Sequence, residues 1–126
     1  MKLAIVGSRD FQDYPWMEHC LLQTFRVEDI ETIVSGGARG ADSLAERFAA
    51  RQGLPIVVIP AEWNKYGRRA GPLRNTEIVN SVDALAAFWD GVSRGTRDVI
   101  GKARVAGRFV TVFPCNRGAW REDEDY

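Results

Sequence analysis

The chain alternates short, continuous apolar runs with longer segments whose apolar residues recur at helical spacing. The short runs are typical of buried strands, and the recurring pattern is typical of amphipathic helices. The alanines of the fourth run also allow a helix. The predicted strands cover residues 3–7, 31–35, 54–60, 82–91 and 108–114. The predicted helices cover residues 13–25, 41–53, 72–81 and 95–107.

The helix over residues 41–53 carries the clearest signals. Ser43 and Glu46 have the spacing of a capping box, and Gly53 is a typical helix stop. Its apolar residues form one stripe, which predicts a single buried face. The stripe consists of Ala41, Leu44, Ala45, Phe48 and Ala49.

Two further segments shape the predicted sheet. Residues 54–60 are apolar throughout between prolines, which predicts a strand covered on both faces. Residues 61–71 break the pattern and are predicted to form a loop, so that the next helix begins at Pro72.

Strands that alternate with helices predict right-handed crossovers and a parallel sheet with helices on both faces. The expected fold class is α/β, as a single three-layer Rossmann-like domain with a mainly parallel sheet of about five strands. This domain is predicted to span residues 1–114. Residues 115–126 are predicted to be an acidic, partly disordered C-terminal tail, since EDEDY holds four acids in five residues.

Composition narrows the functional classes. With 126 residues, 45% of them hydrophobic, the chain can bury a real core. It has no apolar run of membrane-spanning length and no signal-peptide core, so no membrane partner is expected. Cys20 and Cys115 lie far apart, which argues against a disulfide or a metal site. A cytoplasmic location is therefore expected.

The net charge is zero, but 14 of the 17 basic residues are arginines. Arginine suits bidentate contacts with phosphate or carboxylate, although a GC-rich genome would also enrich it. Half of the arginines follow predicted strands, at the sheet edge where open α/β folds bind ligands. These seven are Arg9, Arg39, Arg68, Arg69, Arg74, Arg94 and Arg97.

Two of the segments that follow strands are glycine-rich and open a helix, SGGARGAD at 35–42 and DGVSRGTR at 90–97. Backbone N–H groups at such turns, with the positive end of the helix dipole, can bind anions. The sequence has neither a P-loop nor a GxGxxG motif, and each turn could also be a tight turn with a capped helix. Two phosphate subsites are predicted, one formed by Gly36, Gly37, Arg39 and Gly40 and the other by Ser93, Gly95 and Thr96.

Several other polar and aromatic residues have two interpretations each. Asp42 could bind a ribose hydroxyl or act as a helix N-cap, and Asp90 is a second candidate for ligand contact. Trp63 and Tyr66 could stack on a base or only pack within their loop. His19 lies in mid-helix and is interpreted as structural, so no histidine-based triad or metal site is expected.

The segments GSRDF, SGGARGADSLAERFA, PAEWNKYGRRAGPLRN and FWDGVSRGT together resemble the YspA family, the cpYpsA-related branch of the SLOG superfamily. The resemblance covers about residues 2–113. That superfamily also includes the LOG phosphoribohydrolases and the DNA-processing protein DprA. The resemblance implies a Rossmannoid fold and a role in sensing or processing nucleotide-derived ligands such as ADP-ribose.

Comparison with the LOG pattern separates binding from catalysis. Arg74 and Asn75 match the Arg-Lys pair of those enzymes, and Gly95 and Thr96 match the GT of their phosphate loop. The position of their catalytic Glu is Val99, which has no carboxylate. The resemblance therefore does not carry the LOG mechanism to this chain.

The leading hypothesis is a domain that binds a phosphorylated nucleotide-derived ligand such as ADP-ribose, AMP or NAD, with no cofactor required. The alternatives are a nucleotide or ADP-ribose N-glycosidase or hydrolase using Asp42 or Asp90, and a DprA-like DNA-processing accessory. The neutral charge and acidic tail make nucleic acid an unexpected partner, while aromatic surface near Trp16 or Trp89 would permit a homo-oligomer. The predicted binding residues are Gly7, Ser8, Arg9, Gly36, Gly37, Arg39, Gly40, Asp42, Arg74, Asn75, Asp90, Ser93, Gly95 and Thr96.

Overall fold

A computed structural model describes residues 1–116 of the chain. Its core is a five-stranded, all-parallel sheet with the strand order β3-β2-β1-β4-β5. The strands are β1 (Lys2–Gly7), β2 (Thr32–Ser35), β3 (Ile56–Val58), β4 (Ala84–Trp89) and β5 (Phe109–Pro114). The helices are α1 (Tyr14–Thr24), α2 (Ala41–Gln52), α3 (Trp63–Tyr66), α4 (Ala70–Ser81) and α5 (Arg94–Val105).

The helices cover both faces of the sheet, and the alternation of side chains along β1 shows how. Leu3 and Ile5 pack with α1 and α2 in one buried cluster. Ala4 and Val6 pack with α4 and α5 in a second cluster on the opposite face. Successive strand residues point to opposite faces, so one apolar run supplies both cores. The predicted α/β class and three-layer Rossmann-like architecture are confirmed.

The strand order places a topological switch between β1 and β4. The chain builds outward from β1 to β2 and β3, then returns to the other side of β1 to form β4 and β5. The connections after β1 and β4 therefore diverge, which opens a crevice at the carboxyl ends of these strands. The candidate site lies there.

The stripe predicted on α2 is largely confirmed. Ala41, Ala45, Phe48 and Ala49 are buried, whereas Leu44 is half-buried at the edge of the core. The predicted capping box is wrong. Gly40 precedes the helix, and Ser43 donates its hydroxyl to the carbonyl of Ala38 at 3.3 Å instead of capping an amide.

The segment predicted as a loop over residues 61–71 is mostly helical. The short helix α3 and a 3₁₀ turn at Gly67–Arg69 lead directly into α4, which begins at Ala70 and not at Pro72. Pro72 is the third residue of α4. A proline is tolerated in the first turn because the N–H that it lacks would have no partner within the helix.

The strand predicted to be covered on both faces is an exposed edge strand. β3 pairs only with β2, and Ile56, Val57 and Val58 are 39%, 48% and 41% exposed. An unbroken apolar run is compatible with a central or an edge position, because the sequence pattern does not encode a strand's place in the sheet.

Of the two tryptophans suggested as an oligomer surface, only Trp89 is partly exposed. Trp16 is buried and donates its indole N–H to the carbonyl of Pro114 at 2.8 Å. Trp89 is half-buried and donates to the carbonyl of Ser93 at 3.0 Å. Within the described part of the chain, no helix is long and apolar enough to cross a membrane. The predicted tail, apart from Cys115 and Asn116, lies outside the described residues.

Candidate functional site

The turn after β1 is held between β4 and α2. Ser8 donates its backbone N–H to the carbonyl of Phe88 at 2.9 Å, and its own carbonyl accepts from Ala41 N–H at 3.2 Å. Its hydroxyl accepts the backbone N–H of Asp90 at 3.2 Å. A side chain at Gly7 would clash with the carbonyl of Phe88, which explains the glycine. The turn is therefore rigid, and Arg9 projects from a fixed point.

The polar groups of the turn after β2 form hydrogen bonds within the turn and with the start of α2. The hydroxyl of the buried Ser35 accepts Gly37 N–H at 3.3 Å and donates to the carbonyl of Asp42 at 3.1 Å. The carboxylate of Asp42 accepts Ala38 N–H at 3.0 Å. Gly40 has a φ of 74° and lies so close to the backbone of Arg9 that a Cβ would clash. Two amides of this turn are thus already satisfied.

The turn after β4 presents the start of α5. One carboxylate oxygen of Asp90 accepts the N–H groups of Val92 at 2.9 Å and Ser93 at 2.7 Å. These bonds keep the pKa of Asp90 below its usual value. The hydroxyls of Ser93 and Thr96 lie 3.2 Å apart. The first helical hydrogen bond runs from Arg97 N–H to the carbonyl of Ser93, so the amides of residues 94–96 have no partner within the helix.

Helix α4 connects these turns through two adjacent side chains. Arg74 donates to the carbonyl of Gly36 at 2.6 Å and to the side-chain oxygen of Asn75 at 3.1 Å. Asn75 donates to the carbonyl of Gly95 at 3.1 Å and to the carboxylate of Asp98 at 3.0 Å. The turns after β2 and β4 are thereby fixed relative to each other.

These elements enclose a cleft of about 420 Å³ at the carboxyl edge of the sheet. Twelve of the fourteen predicted binding residues line it. Gly37 and Gly40 do not line it, because Gly37 packs beside Val58 and Gly40 packs against Arg9. The twelve are Gly7, Ser8, Arg9, Gly36, Arg39, Asp42, Arg74, Asn75, Asp90, Ser93, Gly95 and Thr96.

Only three of the seven arginines predicted to share this edge line the cleft, namely Arg9, Arg39 and Arg74. Arg97 instead lies over the ring of Trp89, 5.7 Å from its centroid. Arg9 similarly lies 5.9 Å from the centroid of Trp63, which is half-exposed beside the cleft. The position after a strand therefore predicted the right edge of the sheet but not the direction of each side chain.

Five further residues line the cleft and were not predicted to contact a ligand: Val6, Asp10, Ala38, Ile78 and Val99. Val6, Ile78 and Val99 form its apolar wall. Ile78 lies one helical turn after Arg74, a spacing that would have predicted its place on the same face. Asp10 lies 3.7 Å from Arg39 in an exposed ion pair.

Asp42 is the most perturbed ionisable group of the cleft. Its side chain is almost fully enclosed, with 6% of the residue exposed. Burial raises its pKa to about 6, against the opposing effects of the Ala38 N–H, Arg74 and Arg9. Burial also lowers the pKa of Arg74. None of the ion pairs among residues 1–116 involves Asp42.

The fold is shared with a protein of known structure. DNA processing protein A (DprA) from Streptococcus pneumoniae superimposes with a TM-score of 0.71 over 88% of this chain, at 22% sequence identity. The match spans 49% of the DprA chain, so this protein corresponds to about half of that structure. At this identity the likeness establishes the fold alone.

Sequence relationships are more specific. The Gene 61 protein of Mycobacterium phage D29 is 34% identical over 119 residues, covering 89% of this chain and 95% of the phage protein. Residues 1–66, which include β1, β2 and the turns that follow them, match the family model described as YspA, cpYpsA-related SLOG family. The match to the family model agrees with the resemblance found in the glycine-rich segments, and the chain belongs to this YspA-type, cpYpsA-related SLOG family.

Proposed function

We propose that this protein binds a phosphorylated nucleotide-derived ligand, such as AMP, ADP-ribose or NAD, in the cleft beside β1 and β4. One observation carries the proposal: the open start of α5 faces the same cleft as Arg9, Arg39 and Arg74. Unpaired helix amides and guanidinium groups are the donors that proteins use for phosphate. Membership of the SLOG family supports the same class of ligand.

The start of α5 is the better of the two predicted phosphate subsites. The amides of residues 94–96 precede the first helical hydrogen bond, and the hydroxyls of Ser93 and Thr96 adjoin them. Apart from its chain neighbours and its own helix backbone, no atom of the described residues lies within 4 Å of the Cβ position of Gly95, so a phosphate can approach the backbone closely. At the start of α2, by contrast, two amides are already bonded and a carboxylate occupies the turn.

The charge balance of the cleft favours a small ligand over a polyanion. The lining holds three arginines and three aspartates, so it has little net charge when all six ionise. They are Arg9, Arg39, Arg74, Asp10, Asp42 and Asp90. Nucleic acid binding relies on net positive charge and on the release of counterions. The phosphates of a ligand with one or two phosphates and several hydroxyls would bind the arginines, and its hydroxyls would bind the aspartates.

The direct test compares two substitutions on one helix. Gly95→Asp places a carboxylate at the start of α5, where there is room for it and where the helix dipole favours it. The variant should fold but lose affinity for AMP by about tenfold or more through like-charge repulsion. Gly101→Asp makes the same change on the same helix away from the cleft, also in open space, and should bind normally.

Binding should be measured by calorimetry and by the shift of the melting curve. A ligand at a hundredfold excess over its Kd stabilises the fold by about 2.7 kcal/mol. The absence of any shift with AMP, ADP-ribose or NAD would refute the proposal, and so would equal affinities of the two glycine variants.

A second candidate function is hydrolysis of an N-glycosidic bond, which Asp42 supports. A carboxyl group with a pKa of about 6 inside a cleft suits general acid–base catalysis near neutral pH. Asp90 suits this role less well, because two backbone amides hold its carboxylate and lower its pKa. Val99 supplies no carboxylate, and Asp98 is bonded to Asn75 and Lys102 outside the cleft lining.

Hydrolysis is tested by chromatography of the free base released from AMP, NAD and ADP-ribose. If the protein is an enzyme of this kind, Asp42→Asn should abolish the release. Asp29→Asn, at an exposed position outside the cleft, should retain it. If the wild-type protein releases no base while binding the ligand, the protein is a binder.

A DNA-processing role is the remaining alternative, and here it rests on the fold shared with DprA. Anisotropy titrations of single-stranded and duplex oligonucleotides at several salt concentrations would test it. Micromolar or tighter binding with a steep salt dependence would favour the DNA role over the nucleotide role.

A further inference from the structure

The carboxylate of Asp42 has one oxygen available to a ligand. Oδ2 accepts the N–H of Ala38 at 3.0 Å, while Oδ1 has no donor among the described residues. Every fully enclosed side-chain oxygen or nitrogen in residues 1–116 has a hydrogen-bond partner. Because Oδ1 has none, it is not sealed in the core, and it is reached from the cleft that Asp42 lines. A carboxylate oxygen only accepts hydrogen bonds when it is ionised. A ligand group that contacts Oδ1 would therefore be a donor.

The nearest cation does not take this role. Arg74 directs its Nη1 to the carbonyl of Gly36 and its Nε to Asn75, and it makes no ion pair with Asp42 within 4.0 Å. A positively charged ligand group is disfavoured as well, since the charges of Arg74 and Arg9 already act on the carboxylate of Asp42. The donor that fits is neutral.

An anion at this end of the cleft is equally disfavoured. Ser35 and Asp42 already hold the N–H groups of Gly37 and Ala38, and the free oxygen of Asp42 would repel a phosphate. The two helix starts therefore differ in the hydrogen-bonding groups that they present to the cleft. The start of α5 offers donors, and the start of α2 offers an acceptor.

The base of a nucleotide fits poorly beside Asp42. The described residues that line the cleft include no aromatic side chain, and its apolar wall is aliphatic. The stacking surface is outside, where Arg9 lies over the half-exposed ring of Trp63. A nucleotide with its sugar and phosphate inside the cleft would therefore have its base at the rim, beside Trp63.

We propose that Asp42 accepts a hydrogen bond from a ribose hydroxyl of the ligand, while a single phosphate lies at the start of α5. The inference rests on the proposed function and narrows it to ligands with a ribose monophosphate end and free 2′ and 3′ hydroxyls. A 2′-phosphate would meet the carboxylate of Asp42, so such ligands are excluded. Asp42 is thus a specificity-determining residue.

The test is a cycle of calorimetric titrations. Wild-type protein should bind AMP about tenfold or more tightly than 2′-deoxy-AMP or 3′-deoxy-AMP, because a hydrogen bond to a charged group is lost. In Asp42→Asn the difference should shrink to about threefold or less, since the amide offers no charge-assisted bond. Asp29→Asn, the same change at an exposed position outside the cleft, should keep the wild-type ratio.

Each outcome has a separate meaning. If wild-type protein binds AMP and both deoxy analogues equally, this inference is overturned and the proposed function stands. If Asp42→Asn discriminates between them as strongly as wild type, Asp42 is not the acceptor. If ADP-ribose binds more than about a hundredfold more tightly than AMP, a second phosphate site exists and the single-phosphate assignment is wrong. If no nucleotide binds, the proposed function itself fails.

Discussion

At the scale of single residues, Asp42 is the group whose burial works against folding. Its carboxylate is largely enclosed, and among the described residues it has one hydrogen bond and no ion pair. The charged form is therefore poorly solvated, which raises its pKa. A group that destabilises the fold yet faces a cleft is typical of a functional site.

The pH dependence of stability follows from this shift. The pKa of Asp42 rises from 3.8 to about 6 on folding, so between these values the native state binds more protons than the unfolded state. The contribution of Asp42 to the free energy of unfolding should therefore fall as the pH rises from 3.8 to about 6. Asp42→Asn should remove the effect and stabilise the protein at pH 7 by up to about 3 kcal/mol.

Urea unfolding at pH 4.5 and pH 7.5 measures the effect, because the wild type and the variant should differ mainly at the higher pH. Asp10→Asn, at an exposed position, should change stability by less than about 0.5 kcal/mol at both values. Equal stability of wild type and Asp42→Asn at pH 7.5 would mean that the carboxylate is well solvated.

Asn75 provides a second prediction at the residue scale. It is buried and donates to the carbonyl of Gly95 and to Asp98. Asn75→Ala should destabilise the fold by about 1–3 kcal/mol, because partners of a buried side chain are left unsatisfied. Asn80→Ala on the exposed face of the same helix should be nearly neutral in chemical denaturation.

At the scale of secondary-structure elements, two glycines of the turn before α2 pack against neighbouring segments of the chain. Gly37 lies beside Val58, and Gly40 lies against the backbone of Arg9 and Ser8. The turn thereby brings the connections after β1 and β2 together. Two of its three glycines are explained by this close approach and by their positive φ.

Two glycines with the same backbone conformation allow the effect of a positive φ to be separated from the effect of close packing. Gly40 has φ 74° and ψ −127°, and Gly67 has φ 58° and ψ −132°. An alanine at either position is strained by about 1–3 kcal/mol. Only at Gly40 would its Cβ also clash with backbone. Gly40→Ala should therefore lower the free energy of unfolding clearly more than Gly67→Ala, and similar losses would contradict the packing role.

At the scale of the whole molecule, the parallel sheet brings three turns that are distant in sequence to one edge. The strand order puts β1 at the centre, with β2 and β4 on either side. The cleft consequently collects residues from the connections after all three strands and from α4. A fold of this kind changes its ligand through those connections, while the sheet beneath keeps its packing.

The charge of the whole molecule also makes a prediction. With a formal net charge of zero, long-range attraction of anions is weak. Binding of a monophosphate should therefore weaken only modestly between 50 and 200 mM salt, by about threefold or less. Calorimetry with AMP across this range would measure it. A loss of a hundredfold or more would indicate a polyanion site instead.

Much of the architecture could be predicted from the amino-acid sequence. The positions of the five strands and the inward stripe of α2 were predictable because each depends on local hydrophobic periodicity. The location of the cleft was predictable because parallel strands end at a common edge. The family resemblance arose from the same glycine-rich turns.

Other features were decided only by tertiary structure, because they depend on contacts between distant residues. The strand order placed the apolar run of β3 at an exposed edge of the sheet. Gly37 and Gly40 pack against neighbouring segments of the chain and do not line the cleft. The role of Asp42 was open in the sequence, as a cap, a ribose contact or a catalytic group. Burial by the surrounding turns raised its pKa and left one oxygen facing the cleft, which no local pattern encodes.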